Sequence, residues 1–133
     1  MIFVDTGAWV ARFSRRDQYH DRAAATWAKL KASDERIVTS DSVFVETLSL
    51  LGRKISPSAA VEAGRFLHGW NKLTLLRATK DDETAALDMF GKFADQSIGF
   101  VDCLTFALMR HYRIPTAFAF DRHFELAGFP IVN

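Results

Sequence analysis

Short apolar runs alternate with longer amphipathic segments along this chain, and that alternation restricts the possible folds more than any other feature. Strands are predicted at residues 1–4, 37–39, 73–76 and 116–120, with a short edge strand at 128–132. Helices are predicted at residues 8–13, 19–30, 43–51, 80–93 and 99–112, and another begins at Ser56. No hairpin turn joins successive strands. The pattern therefore predicts one α/β domain over residues 1–133, with a mostly parallel central sheet of four to five short strands flanked by helices.

Composition narrows the class of protein. The chain has 133 residues, which is enough to bury a core without disulfides. Its 17 Lys and Arg against 16 Asp and Glu give a net charge of +1, so any phosphate-binding surface must be local. The single Cys103 excludes an intrachain disulfide and is typical of a reducing compartment. No apolar run approaches about 18 residues, so we expect a cytoplasmic protein without a signal peptide or membrane span.

Two carboxylates follow predicted strands. Asp5 comes directly after the first strand, and Asp121 directly after the fourth. Because the carboxyl ends of parallel strands meet at one edge of a sheet, where ligands bind in such folds, these two side chains are expected to lie close together. Each also has a simpler interpretation, Asp5 as a helix cap and Asp121 as the first residue of a turn.

Two further carboxylates lie in helices that are otherwise unusually apolar. Glu46 lies where apolar and small polar residues meet, and alone it would be interpreted as a solvent-facing residue. Asp102 lies on a stripe formed by Ile98, Phe106 and Met109, where an isolated charge would be costly. Its alternative role is in the first helical turn, where the helix dipole favours an acid.

One joint hypothesis accounts for all four acids, namely a shared cleft. Crowded carboxylates repel and raise one another's pKa values unless a cation neutralises them, so the arrangement implies a divalent metal. Oxygen ligands favour Mg²⁺ or Mn²⁺, and zinc is disfavoured because no Cys or His is expected at ligand spacing. Such an ion activates water for displacement at phosphorus.

At this point the sequence resembles the PIN-domain ribonucleases, and most closely VapC-type toxins of bacterial or archaeal toxin–antitoxin pairs. The resemblance covers essentially the whole chain. The matching segments are Val4-Asp5-Thr6-Gly7, Phe44-Val45-Glu46, Ser97-Ile98-Gly99-Phe100-Val101-Asp102, Ala119-Phe120-Asp121-Arg122-His123-Phe124 and Gly128-Phe129. Each segment is short and degenerate, and their order and spacing make the match.

The resemblance implies a PIN-like fold and an Mg²⁺-dependent endoribonuclease, with Mn²⁺ as the other possible ion, that leaves a 5′-phosphate and a 3′-hydroxyl. It implies that Asp5 and Asp102 hold the metal most directly, while Glu46 and Asp121 complete the shell or position water. Thr6 and Ser97 match supporting hydroxyl positions of the family. The resemblance further implies an RNA substrate, a homodimer and a cognate antitoxin whose C-terminal segment blocks the cleft.

The aromatic and basic residues of the N-terminal helices have two candidate roles, contact with RNA and contact with the antitoxin. Arg12, Arg15 and Arg16 are candidate contacts for RNA phosphates, or else a solvated surface. The same arginines, together with Trp9, Phe13 and Trp27, are candidate antitoxin contacts, and the alternative for Trp9 and Trp27 is a core position.

Histidines are the residues on which a metal-free ribonuclease would depend, and no pair of them is evident. Of the four, only His123 is expected near the cleft, with a packing role favoured for it.

Two rival functions remain open from the sequence. In the first, Asp5 is phosphorylated, as in receiver or dehalogenase-like domains, but the dehalogenase pattern needs a second acid where this chain has Gly7. In the second, the acids are helix caps in a non-catalytic domain that binds RNA or protein.

Overall fold

The strands form one parallel sheet in the order β3-β2-β1-β4-β5, so the first strand of the chain lies at its centre. The computed structural model describes all 133 residues. The strands are β1 Ile2–Val4, β2 Ile37–Ser40, β3 Leu73–Leu76, β4 Thr116–Phe118 and β5 Ile131–Val132. Ile2 pairs with Ile37 on one side and with Thr116 on the other, which places all three strand ends at the same edge. The predicted sheet, including its short edge strand, is confirmed.

Seven helices surround the sheet. They are α1 Thr6–Phe13, α2 His20–Ala32, α3 Asp41–Lys54, α4 Pro57–Gly69, α5 Lys80–Lys92, α6 Phe100–His111 and α7 His123–Leu126, and a 3₁₀ turn at Ala94–Gln96 precedes α6. The prediction that α3 closes near Gly52 was wrong, because the helix continues to Lys54. Gly52 lies where α3 packs on α4, so that a β-carbon at this position would lie 3.9 Å from the Ala60 β-carbon, and that packing outweighs the weak helix propensity of glycine. None of the helices has both the length and the apolar character required to cross a membrane.

The core is centred on β1 and on two tryptophans beside it. Phe3, Val4 and Trp9 are completely buried, and Trp27 is nearly so. The two indole rings pack with centroids 4.7 Å apart. Trp9 donates its ring N–H to the Thr39 hydroxyl (3.2 Å), which in turn donates to the Val4 carbonyl (2.9 Å). Trp9 and Trp27 are therefore core residues and are not available as antitoxin contacts.

Helix caps follow the sequence closely. The Ser40 hydroxyl accepts the Val43 amide (3.2 Å) to begin α3, and the Ser56 hydroxyl accepts the Ala59 amide (3.1 Å) to begin α4. Strand β4 is shorter than predicted and ends at Phe118. The chain between Phe118 and Asp121 bends away from regular pairing, although the Ala119 amide still donates to the Val132 carbonyl (3.3 Å).

A buried carboxylate ties α5 to α6. Asp82 accepts hydrogen bonds from the Thr79 amide (2.8 Å) and hydroxyl (2.9 Å), and its other oxygen lies 2.8 Å from Nδ1 of His111. Burial alone would raise the pKa of Asp82, but the hydrogen bonds from Thr79 and His111 outweigh it and hold that pKa below its ordinary value. The ionised Asp82 carboxylate therefore stabilises the fold above its unfolded-state pKa, and that contribution is lost as the pH falls through its lower folded-state pKa.

Replacing Asp82 with Asn is expected to lower the free energy of unfolding by about 1–3 kcal/mol at pH 7, because the network loses its negatively charged acceptor and one of its two acceptor oxygens. Urea denaturation measures this, with Asp88→Asn on the exposed side of α5 as the matched control. The difference between wild type and Asp82→Asn should shrink below about pH 4 as Asp82 takes up a proton. Equal stability at pH 7 would show that the pair does not contribute.

Candidate metal centre

Asp5 is delivered to the carboxyl edge of the sheet by the central strand. Its backbone N–H donates to the Phe118 carbonyl (3.0 Å), so the residue is fixed between β1 and β4. Asp5 occupies the N-cap position of α1, but its side chain makes no capping hydrogen bond. The residue is only 7% exposed. The cap interpretation therefore accounts for its backbone and leaves its buried carboxylate unexplained.

One cleft of about 410 Å³ brings together the four predicted acids. Asp5 comes from the end of β1, Glu46 from α3, Asp102 from α6 and Asp121 from the segment after β4. Thr6 also lines this cleft. The four acids therefore come together at one edge of the sheet, where the sequence predicted them.

Asp102 and Asp121 also have local structural roles. The Gly99 amide donates to Asp102 Oδ2 (3.2 Å), which supports the start of α6. The His123 amide donates to Asp121 Oδ1 (2.9 Å), which forms a turn. Because a carboxylate has two oxygens and about four lone-pair sites, these bonds leave each side chain free to serve a ligand as well. The cap and cleft interpretations are compatible for these two residues.

The electrostatics of the cleft favour a cation. Burial, followed by the neighbouring charges of Asp102, Glu46 and Asp121, raises the pKa of Asp5 to about 7 against the opposing effect of the Thr6 amide. Burial likewise raises the pKa of Asp102, with the charge of Asp121 as the next cause. Carboxylates that repel one another in a partly closed site are stabilised together only by a positive charge.

His123 lies among the acids, at the start of the short helix α7. Its Nδ1 is 3.0 Å from Asp121 Oδ1 and 3.9 Å from Asp102 Oδ2, yet it forms no hydrogen bond. Ligand atoms of Asp102, Asp121 and His123 all lie within 4.8 Å of one another, so one ion can reach all three. The expectation that no histidine lies at ligand spacing was wrong. The position of His123 near the cleft was correctly predicted.

The other histidines are engaged elsewhere. His20 Nδ1 hydrogen-bonds to the Ala11 carbonyl (2.7 Å), His68 stacks on Phe44, and His111 pairs with Asp82. Each of these three histidines therefore has its contact outside the acidic cleft.

The two predicted supporting hydroxyls have different positions. Thr6 is buried, and its hydroxyl oxygen has no hydrogen-bond partner although it belongs to the cleft wall. An unpaired buried hydroxyl beside four carboxylates fits a site that receives water, phosphate or an ion. Ser97 does not line the cleft. It is exposed, in a left-handed conformation with φ 55° after the 3₁₀ turn, so the expected supporting role has no basis in this geometry.

A basic cavity adjoins the acidic cleft. It has a volume of about 820 Å³ and is lined by Arg15, Arg16 and Lys54, and it shares Asp17 and Lys54 with the cleft. Lys54 was missed from the sequence because α3 was predicted to end before it.

Arg12 does not join this basic cavity. Its guanidinium lies 4.9 Å from the ring centroids of both Trp27 and Phe66 and 5.9 Å from that of Trp70. Burial in this aromatic cluster lowers the pKa of Arg12. The expectation that Arg12 contacts RNA phosphates therefore has no support, because its charge is used within the fold.

The family profile of the PIN domain matches residues 2–130 of this chain. The chain belongs to the PIN-domain family. Among curated proteins it is similar to VapC20 of Mycobacterium tuberculosis, described as a 23S rRNA-specific endonuclease, with 36% identity over 97% of this chain and 95% of the relative. The VapC-type resemblance noted in the sequence is confirmed.

Solved structures agree with this PIN-domain assignment. The crystal structure of VapC20 from Mycobacterium tuberculosis, described as a toxin that cleaves the sarcin-ricin loop, superposes with a TM-score of 0.89 at 33% identity and covers 97% of this chain and 96% of that one. A toxin–antitoxin complex from Klebsiella pneumoniae shares the fold with a TM-score of 0.68 at 14% identity, over 100% of this chain and 97% of that chain.

Membership of the PIN-domain family decides against phosphoryl transfer onto Asp5. The local structure agrees, because Gly7 is exposed and supplies no second acid beside Asp5. The acids that accompany Asp5 come from distant segments instead.

Without metal, Asp5→Asn is expected to stabilise this PIN domain at pH 8. Because the folded-state pKa of Asp5 is raised to about 7, the protonated acid favours folding below about pH 4, and that contribution is lost as the pH rises through about 7. The Asn variant, which cannot ionise, should be more stable than wild type at pH 8 by about 1–3 kcal/mol and similar at pH 4.

Urea denaturation in EDTA at both pH values measures this difference, with the exposed Asp34→Asn as the control. Added Mg²⁺ should then stabilise wild type and leave Asp5→Asn unchanged. A variant that is less stable than wild type at pH 8 would mean that Asp5 supports the fold chiefly as a cap.

Proposed function

We propose that this protein is a divalent-metal-dependent endoribonuclease and the toxin component of a toxin–antitoxin pair. The observation that carries the proposal is the convergence of four carboxylates from four separate elements on one cleft. Support comes from a relative with 36% identity over nearly the whole chain, itself described as a 23S rRNA-specific endonuclease. We take Mg²⁺ as the ion, with Mn²⁺ as the alternative that the nitrogen of His123 also favours.

The residues present fit such an ion by their chemistry. Asp5 and Asp102 have the raised pKa values and would hold it most directly, and Glu46, Asp121 and His123 would complete the shell or hold water. When bound, a divalent ion lowers the pKa of water and neutralises charge developing on phosphate oxygens.

The protein side chains then orient the reaction. Glu46 and Asp121 would orient the attacking water in line with the scissile P–O3′ bond and accept its proton, and Thr6 would donate its free hydroxyl to a phosphate oxygen. Breaking the P–O3′ bond leaves a 5′-phosphate on one fragment, and the O3′ oxygen of the other takes up a proton from solvent to become a 3′-hydroxyl. The 2′-hydroxyl takes no part.

Ribosomal RNA of the large subunit is the substrate we propose, by analogy with the relative of that specificity. Such a substrate places the protein in the cytoplasm, where the buried free thiol of Cys103 is also expected.

The cognate antitoxin is proposed to cover the acidic cleft with a basic segment, since charge complementarity suits such a contact. A homodimer is also proposed, and the exposed apolar side chains of Leu87 and Phe90 on α5 provide a surface for it.

Cleavage of RNA should require the metal and the acids. Wild type is expected to cut RNA in Mg²⁺ and not in EDTA, and Asp5→Asn or Asp102→Asn should each reduce the rate roughly 100-fold or more because a charge at the reacting centre is lost. Mapping of the ends should give 5′-phosphate and 3′-hydroxyl, with Asp34→Asn as the active control. Cyclic-phosphate ends formed in EDTA would rule out the proposed metal-dependent cleavage. Full activity in both acid variants would show that these acids are not catalytic and would favour a non-catalytic RNA-binding protein.

The basic cavity should guide RNA to the cleft. If Arg15 and Arg16 each neutralise one phosphate, the double variant Arg15→Gln/Arg16→Gln should reduce the slope of log Kd against log salt concentration by roughly 1–2. Filter binding of single-stranded RNA over a salt series measures this slope, and the exposed Arg65→Gln on α4 is the control for charge alone. An unchanged slope would mean that RNA approaches the acids from another side.

A further inference from the structure

Tyr19 and Phe120 form a stacked aromatic pair beside the acidic cleft. Their ring centroids are 4.3 Å apart and their planes differ by 2°. Tyr19 immediately precedes α2, and Phe120 immediately precedes Asp121. Both side chains pack against the core and are partly exposed. The pair is therefore anchored to the core while part of its surface remains in contact with solvent.

The same two rings line two cavities. One is the acidic cleft, and the other is a neighbouring depression of about 460 Å³ that also contains Arg22 and Arg122. The aromatic pair thus forms the boundary between a carboxylate site and a basic surface. A ligand that extends out of the cleft in this direction must pass over Tyr19 or Phe120.

Positive charge is fixed beside the rings. The Arg22 guanidinium lies 5.8 Å from the Phe120 ring centroid and donates a hydrogen bond to the side-chain oxygen of Asn133. Asn133 in turn donates to the Ala119 carbonyl (3.3 Å), which anchors this arrangement to the end of β4. The Arg122 side chain is 88% exposed on the same side, with a long contact of 3.4 Å to Glu125.

We propose that Tyr19 and Phe120 form a stacking platform for one unstacked base of the RNA substrate, next to the phosphodiester in the cleft. Phe120 covers one face of the Tyr19 ring, so the base stacks on the opposite face, and Arg22 and Arg122 contact the phosphates that follow. The inference rests on the proposed ribonuclease function. It assigns single-stranded or looped RNA as the bound form, because a base within a duplex has no free face.

The charge distribution explains why such a platform is needed. The four carboxylates repel phosphate, so RNA must be held by groups around the cleft. Arg15, Arg16 and Lys54 lie on one side of it, and the aromatic pair with its two arginines lies on the other. Stacking adds binding that does not depend on charge.

The first test is a substitution series at Tyr19 with RNA cut by the wild-type protein. Tyr19→Leu is expected to raise KM about tenfold or more with kcat within about twofold, whereas Tyr19→Phe and Tyr19→Trp should retain the wild-type KM because they keep a stacking face. Tyr112→Leu is the matched control, since Tyr112 also stacks on a neighbouring ring, that of His111, but lies outside both cavities. A merely structural role predicts loss of thermal stability in Tyr19→Leu with no change in KM.

The second test removes the base and keeps the protein intact. After the cut site has been mapped, abasic nucleotides are placed one at a time on either side of it, and Kd is measured with wild type in Ca²⁺ or EDTA. One flanking position should lose affinity about tenfold when its base is absent, and Tyr19→Leu should bind that abasic RNA and the intact RNA equally.

Two results overturn the platform. In the first, removing the base at any flanking position leaves the Kd of wild type unchanged. In the second, Tyr19→Leu raises Kd relative to wild type by the same factor for abasic RNA as for intact RNA. Both leave the ribonuclease function standing, because wild type still cleaves. Failure of wild type to cleave any RNA in Mg²⁺ would instead remove the ribonuclease proposal and the platform with it.

Discussion

Repulsion among carboxylates at the carboxyl edge of the sheet is the constraint to which the rest of this structure responds. Asp5 is nearly buried, has no capping hydrogen bond and faces three other acids, so its ionised form is unstable without a positive charge nearby. A fold optimised for stability alone would replace these groups with neutral ones. Their presence together is typical of a functional site, where ligand binding and catalysis require groups that lower the stability of the fold.

The parallel sheet makes that arrangement possible. Because β1 is the central strand, its end lies between those of β2 and β4, and helices from both sides reach the same edge. Asp102 and Asp121 are each fixed by a backbone amide, which holds them in place against their mutual repulsion. Basic residues lie around this acidic centre, and Lys54 lines its wall, so an RNA chain can be attracted at its phosphates and cleaved at one of them.

Much of this arrangement could be predicted from sequence, and the parts that could not have physical reasons. Strand–helix alternation predicts the parallel sheet. Asp5 and Asp121 each follow a strand, and because parallel strands all end at the same edge, strand direction alone places both residues there. The end of α3 was misjudged because glycine has only a weak tendency to end a helix when another helix packs against it, and Lys54 was missed as a result.

Tertiary contacts, which the sequence pattern does not show, determine the roles of His123 and Arg12. His123 was predicted near the cleft, but it lies on a four-residue helix that is too short to show periodicity, so its position at ligand distance from Asp102 and Asp121 could not be predicted. Arg12 and Arg15 are only three residues apart in sequence, yet one is enclosed by aromatic rings and the other is exposed beside the cleft. Anomalous diffraction from crystals soaked in Mn²⁺ would show whether the acidic cleft binds a divalent cation. We expect a peak bound by Asp5 and Asp102 within the cleft, and a fully soaked crystal without a peak among these carboxylates would rule out the metal site.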